Sequence, residues 1–197
     1  GGFGLATATS FFPAKPLGCY GDGGAVLTED AELAATMRSL RVHGQGSNKY
    51  DNVRIGMAGR LDTLQAAILL AKLEVFEDEL AVRQQVARRY SDGLAGLCAL
   101  PRIPDGSISA WAQYTIRVPA KSRDRVATDL KAAGIPTAVY YPLGLHQQVA
   151  YRHYPRAHET LAVTEQLVGD VLSLPFHPYL AVEVQDRIIA ALSKALS

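Results

Sequence analysis

The sequence predicts an α/β chain in two parts, and three observations indicate it. Residues 5–10 alternate like a strand, and 25–28 form a short apolar run of the kind found in buried strands. Longer segments between and after them carry apolar residues at helical spacing. The periodicity is lost over 96–106, where two prolines appear. We therefore expect a first part over 1–95 with long connecting helices, and a smaller α+β domain over 96–197.

Each part has its own series of predicted elements. Asp30 is a residue type that caps helices, so a helix is expected to start there. On the last helix of the first part, we expect Arg83, Arg88 and Arg89 to form the solvent face. The predicted elements are strands over 5–10, 25–28, 113–118, 137–140 and 171–174, and helices from Asp30 to about Val42, from about Ile55 to Phe76, and over 78–95, 123–133, 157–170 and 181–195.

Composition and charge exclude several classes of protein. The 197 residues are 48% hydrophobic and 20% charged, which is typical of a globular chain. The net charge of +1 and the scattered basic residues do not predict a surface for nucleic acid or anionic lipid. No apolar run approaches the length of about 18 residues that a membrane span needs. The two distant cysteines favour a reducing cytoplasm over a disulfide scaffold, and the five histidines lack metal-site spacing, so no metal is expected.

Lys15 lies in a loop whose sequence combines residues that restrict the backbone with residues that give it freedom. Pro13 and Pro16 fix φ on either side of it, and four glycines follow within 18–24. A lysine amine held in such a loop can act as a nucleophile in its neutral form. On residue type alone, however, a solvated surface lysine is the more frequent case. The local sequence therefore leaves both interpretations of Lys15 open.

The segment over 10–24, SFFPAKPLGCYGDGG, resembles the cofactor-lysine segment of the DegT/StrS-type nucleotide-sugar aminotransferases. These are pyridoxal 5'-phosphate (PLP) enzymes of the aspartate-aminotransferase fold, fold type I. The resemblance implies that Lys15 binds PLP covalently and that Ser10 contacts the phosphate. A sister branch of dehydratases carries histidine at the lysine position, so Lys15 favours transamination. The expected fold is therefore the end of the large PLP-binding domain followed by the small C-terminal domain.

A second segment over 55–69 resembles the family motif Gly-x-Asn-x-Arg-Leu-Asp-x-x-Gln-Ala-Ala. In the family, the asparagine reaches the cofactor phosphate from the neighbouring subunit, which implies a homodimer with shared active sites. This chain has Ala58 at that position. Arg60 matches the family arginine, and its guanidinium is expected either to bind a substrate carboxylate or to pair with Asp62.

A third segment over 140–146, YYPLGLH, resembles the family segment that closes the substrate pocket. The resemblance implies that Tyr141 and His146 bind substrate, whereas a loop histidine without such a role is an equally frequent case. Gly144 stands where the family usually has proline, which predicts a more flexible loop.

The resemblance also predicts the reaction and the extent of the chain. In the family the lysine strand lies near the middle of the sequence, so we expect the N-terminal half to be absent and the 197-residue piece to be inactive by itself. The implied reaction transfers an amino group from an amino acid, usually glutamate, to a ketosugar nucleotide. The nearest branch aminates a UDP-linked 3-keto-N-acetylglucosaminuronate for cell-surface polysaccharide, including O-antigen. The alternative is a non-catalytic remnant that keeps the fold and the dimer interface.

Overall fold

A computed structural model describes residues 3–197, except for the side chain of Ala120. Four strands and six α-helices form within this range. In chain order they are β1 Thr7–Ser10, β2 Gly24–Leu27, α1 Ala31–Leu40, α2 Thr63–Leu73, α3 Phe76–Gly93, β3 Tyr114–Arg117, α4 Ala120–Ala132, α5 Ala162–Asp170, β4 Val171–Leu174 and α6 Val182–Leu196, with a 3-10 turn at Leu145–Gln147 before α5.

The chain divides into two compact units, Gly1–Glu77 and Asp78–Ser197. Nearly all of α3 belongs to the second unit, because Val86, Ala87 and Tyr90 join its hydrophobic core. The domain boundary that the sequence predicts at 95/96 stays a prediction. None of the helices described over 3–197 has the length and apolar character needed to span a membrane.

In the first unit, β1 and β2 form an antiparallel ribbon. Thr7 pairs with Leu27 and Ser10 with Gly24, so the ribbon opens into the loop that contains Lys15. The predicted cap at Asp30 is confirmed, since its carboxylate accepts hydrogen bonds from the main-chain amides of Glu32 and Leu33, both at 2.9 Å.

The chain after α1 packs against the segment that precedes α2. The amide of Met57 donates to the carbonyl of Leu40 at 2.8 Å, and the amide of Gly59 donates to Arg41 at 2.9 Å. These long-range bonds use the amides that a helix would need, so the predicted helix start near Ile55 is wrong and α2 begins at Thr63. Gly44, at a φ of 72°, allows this close approach, because a Cβ there would lie 1.8 Å from the carbonyl oxygen of Arg54.

The second unit is built on the antiparallel pair β3 and β4, with Tyr114 opposite Leu174. Tyr114 of β3 and Tyr90 of α3 are fully buried, with their ring centroids 5.0 Å apart. The Tyr90 hydroxyl donates to the carbonyl of Pro175 at 2.9 Å, and burial raises the pKa of Tyr90 above its ordinary value. The core therefore combines aromatic packing with a hydrogen-bonded tyrosine hydroxyl.

Two predicted elements of the second unit differ from the structure. The strand predicted over 137–140 is wrong, since only Ala138 forms a bridge, exchanging hydrogen bonds with Ser173 at 2.8 and 3.1 Å. The helix predicted from 157 begins at Ala162, because residues 157–160 are exposed and have no core against which a helical turn could pack.

The prediction that three arginines of α3 face solvent is wrong for one of them. Arg88 and Arg89 are exposed, but Arg83 is buried and its Nη1 donates to the carbonyl of Trp111 at 2.9 Å. Burial lowers the pKa of the Arg83 guanidinium, and the charge of Glu79 acts in the opposite direction. Arg83 therefore ties α3 to the segment before β3.

Candidate active site

The loop between β1 and β2 is closed at its base by main-chain hydrogen bonds. The amide of Phe11 donates to Gly23 and the amide of Cys19 donates to Phe11, both at 2.8 Å. A further bond of 2.8 Å from the amide of Lys15 to the carbonyl of Phe12 forms a tight turn. Lys15 is thus presented on an ordered turn.

The interior of this loop is closely packed around Cys19. The cysteine is fully buried, and its Sγ lies 3.0 Å from the carbonyl oxygens of both Phe11 and Gly21. Gly18 is buried beside it, and a Cβ there would lie 2.7 Å from the carbonyl oxygens of Phe12 and Pro13. Glycine is therefore required at 18 for close approach of the two sides of the loop.

Two side chains of α2 contact the same loop. Gln65 Oε1 accepts a hydrogen bond of 2.7 Å from the amide of Tyr20. Lys72 Nζ donates to the carbonyl of Gly18 at 2.6 Å and lies 5.4 Å from the ring centroid of Tyr20. Residues seven apart lie on the same side of a helix, so the spacing of Gln65 and Lys72 indicates that both face one neighbour. The sequence pattern did not identify Lys72 as a contact of the loop.

Ser10 and Lys15 have the chemistry that a phosphate-bearing aldehyde requires. The Lys15 side chain is exposed, and its ammonium has neither a hydrogen bond nor an ion pair within residues 3–197. Ser10 Oγ accepts a bond of 3.2 Å from the amide of Phe12, which leaves its own proton for another acceptor. An available amine suits a carbonyl and a hydroxyl donor suits a phosphate oxygen, so this pair fits PLP.

Arg60 lies on the segment just before α2 and is exposed. Over the described chain it forms no salt bridge with Asp62, although that pairing was one of its two expected roles. Its other expected role, binding a substrate carboxylate, stays a prediction. Ala58, also exposed, pairs its backbone with Val42.

The third family-like segment holds its histidine against α5. His146 Nε2 lies 3.1 Å from Glu165 Oε1, and only 8% of the His146 side chain is exposed. The Gly144 amide donates to Gln147 Oε1 at 2.9 Å. A Cβ on Gly144 would lie 2.7 Å from His146 Cε1, so the glycine makes room for the ring. Tyr141 is exposed.

The predicted site residues divide between the two units. Ser10, Lys15 and Arg60 belong to the first unit, and Ser10 bonds to Phe12, where the turn to Lys15 begins. Tyr141 and His146 belong to the second unit, within one short segment. The roles assigned to all five stay predictions.

Comparison with known proteins identifies the family. Residues 1–193 match the family described as "DegT/DnrJ/EryC1/StrS aminotransferase family". The UDP-2-acetamido-2-deoxy-3-oxo-D-glucuronate aminotransferase of Pseudomonas aeruginosa is 49% identical over 94% of this chain and 50% of its own length.

Solved structures agree with this match. A DegT/DnrJ/EryC1/StrS aminotransferase from Brucella abortus matches with a TM-score of 0.92 and 53% identity, over 96% of this chain and 50% of that one. The protein ntda of Bacillus subtilis, solved with the bound cofactor PMP, matches with a TM-score of 0.87 and 30% identity, over 98% and 46%. The chain thus spans about half the length of these relatives. On these grounds the chain belongs to the DegT/DnrJ/EryC1/StrS aminotransferase family.

Proposed function

We propose that this chain is the lysine-bearing half of a PLP-dependent nucleotide-sugar aminotransferase. The observation that carries the proposal is the amine of Lys15, which lacks a partner among the described residues although the turn around it is fixed by hydrogen bonds. An ordered turn with an unengaged amine suits covalent catalysis, because the nucleophile is placed without being consumed by a structural contact.

The residues of this chain would have two roles, which are binding of the cofactor and proton transfer. When bound, PLP supplies an electron sink for the negative charge that develops on the donor carbon. Lys15 would hold the cofactor covalently, and its Nζ, once released, would carry the proton removed from that carbon. Ser10 would donate a hydrogen bond to the phosphate. The cofactor assignment is supported by the relative that was solved with PMP.

For the substrates, we propose an amino-acid donor, glutamate, and a UDP-linked 3-keto-N-acetylglucosaminuronate as acceptor. The support is the 49% identity to the Pseudomonas aeruginosa enzyme named for such a sugar. Arg60, with no salt bridge to Asp62, offers a guanidinium for the sugar carboxylate. Tyr141 and His146 would contact the sugar nucleotide.

The proposal extends to the location, the oligomeric state and the biosynthetic role of the protein. We propose a cytoplasmic homodimer with shared active sites that acts in cell-surface polysaccharide synthesis, including O-antigen. The alternative of a non-catalytic remnant is less well supported, because the Pseudomonas aeruginosa relative is named as an aminotransferase and the matching segment keeps both Ser10 and Lys15.

The direct test is covalent attachment of PLP. The 197-residue chain is incubated with PLP, the visible absorbance is recorded, and borohydride is added before peptide mapping. We expect a band that borohydride removes, with the modification on Lys15 and not on exposed Lys49 or Lys131. Modification spread evenly over the exposed lysines would contradict the proposal.

Arg60→Lys is expected to lower kcat/KM about tenfold for an acidic ketosugar and much less for a neutral one, because lysine keeps the charge but loses the bidentate fork. The measurement is kcat/KM for the two sugars, made on this chain combined with the N-terminal half that we propose. Arg102→Lys, at another exposed arginine, is the matched control. Equal losses on both sugars would assign Arg60 a structural role.

Ala58→Asn is expected to tighten cofactor binding by about 0.5–1.5 kcal/mol, since it restores a hydrogen-bond donor for the phosphate. Ala58 is exposed and its main-chain bridge to Val42 does not depend on its side chain, so the fold accommodates the change. The dissociation constant for PLP gives the answer in the same combined protein. An unchanged constant would show that position 58 does not face the phosphate.

A further inference from the structure

We propose that Gln65 and Lys72 are positioning residues that hold the Lys15 loop in one conformation. This inference concerns the loop itself, and its bearing on catalysis rests on the function proposed for Lys15. Both residues project from α2, and both bond to the loop through its main chain. Their contacts therefore fix the backbone whatever side chains the loop carries.

Lys72 supplies the stronger of the two contacts. The residue is half-buried, and its ammonium donates to the carbonyl of Gly18 at 2.6 Å and lies near the ring of Tyr20. Over the described residues it has no carboxylate partner, so the carbonyl and the ring face compensate its charge. Lys72 is thus engaged as a donor, whereas the amine of Lys15 is not.

Gln65 fixes the next point along the same side of the loop. Its Oε1 accepts the amide of Tyr20 at 2.7 Å, and its Nε2 would lie 3.2 Å from a Cβ on Gly21. Together the two side chains hold residues on either side of Cys19, whose thiol is buried inside the loop.

The constraint passes from this side of the loop to Lys15. Gly18 packs so closely on the carbonyls of Phe12 and Pro13 that no Cβ would fit. Lys15 lies in the turn that starts at Phe12, so a shift of Gly18 must displace that turn or open a gap beneath it. Releasing Gly18 from Lys72 should therefore loosen the turn and expose Cys19.

The accessibility of the Cys19 thiol measures this loosening without any cofactor. In a Cys98→Ala background, Cys19 is the remaining cysteine, and its reaction with a disulfide reagent reports opening of the loop. We expect Lys72→Met to raise the labelling rate about tenfold, because a charge-assisted hydrogen bond is lost. Gln65→Leu should raise it less. The matched control is Lys131→Met at an exposed lysine of α4, which should leave the rate unchanged.

A second measurement follows the same variants with PLP. We expect Lys72→Met to lower covalent attachment at Lys15, and Lys72→Arg to restore most of both attachment and thiol protection. Circular dichroism confirms that each variant is folded. Equal labelling rates in Lys72→Met and Lys131→Met would overturn the inference, whereas faster labelling with unchanged attachment would support the hold on the loop and overturn its bearing on Lys15. If the unsubstituted chain attaches no PLP, the proposed function fails, while the labelling rates still decide whether Gln65 and Lys72 hold the loop.

Discussion

Lys15→Ala is expected to abolish covalent attachment of PLP and to lower turnover by about 10³-fold or more, because the chain loses both a nucleophile and a proton carrier. The fold should survive the change. The Lys15 ammonium has no bond within the described chain, and the bond from residue 15 to Phe12 uses the main-chain amide, which alanine keeps. Attachment is measured by absorbance and borohydride mapping, and turnover is measured in the combined protein.

Two further variants separate nucleophilicity from charge. Lys15→Arg keeps a cation but offers no amine that forms an imine, so it should be as inactive as Lys15→Ala. Lys49→Ala removes an exposed lysine elsewhere in the first unit and should behave like the unsubstituted chain. Full attachment in Lys15→Ala would place the cofactor on another residue.

Gly44→Ala is expected to lower the free energy of unfolding by about 3 kcal/mol, from a positive φ and a steric overlap together. The φ of 72° disfavours alanine by itself, and the added Cβ would lie 1.8 Å from the carbonyl oxygen of Arg54. The chain must move apart at the contact between the loop after α1 and the segment before α2. Urea unfolding measures the loss, and hydrogen exchange over 40–59 shows its location.

The control for Gly44→Ala isolates the overlap from the backbone conformation. Gly106 has a φ of 76°, and a Cβ there meets nothing within 4 Å. Gly106→Ala should therefore cost only the conformational part, about 1 kcal/mol. Equal losses at the two positions would show that the contact with Arg54 relaxes freely.

Local sequence patterns predicted the elements whose cause is local. Asp30 caps α1 as expected, the strand near 7–10 follows from alternation, and the strand near 24–27 follows from a short apolar run. The start of α2 was not predictable in this way, because hydrogen bonds to residues 40 and 41 remove the amides of Met57 and Gly59 from any helix. A single bridge at Ala138 likewise replaced a predicted strand.

The candidate site also contains residues that the sequence predicted and residues that it did not. Resemblance over 10–24 singled out Ser10 and Lys15, and the structure shows that their side chains are available to a ligand. Gln65 and Lys72 reach the loop across 45 and 54 residues of sequence. The spacing of seven places both residues on one side of α2, but nothing along the chain identifies the loop as their partner, because that contact arises from the packing of α2 against the loop.

The packing at Gly144 links this position to the placement of the His146 ring. Its φ of −67° is one that proline adopts, so the backbone alone would accept the family residue. Proline, however, would remove the amide that donates to Gln147 and place a Cβ 2.7 Å from the His146 ring. Gly144→Pro should therefore keep the backbone path, remove one hydrogen bond and turn the His146 ring away from Glu165.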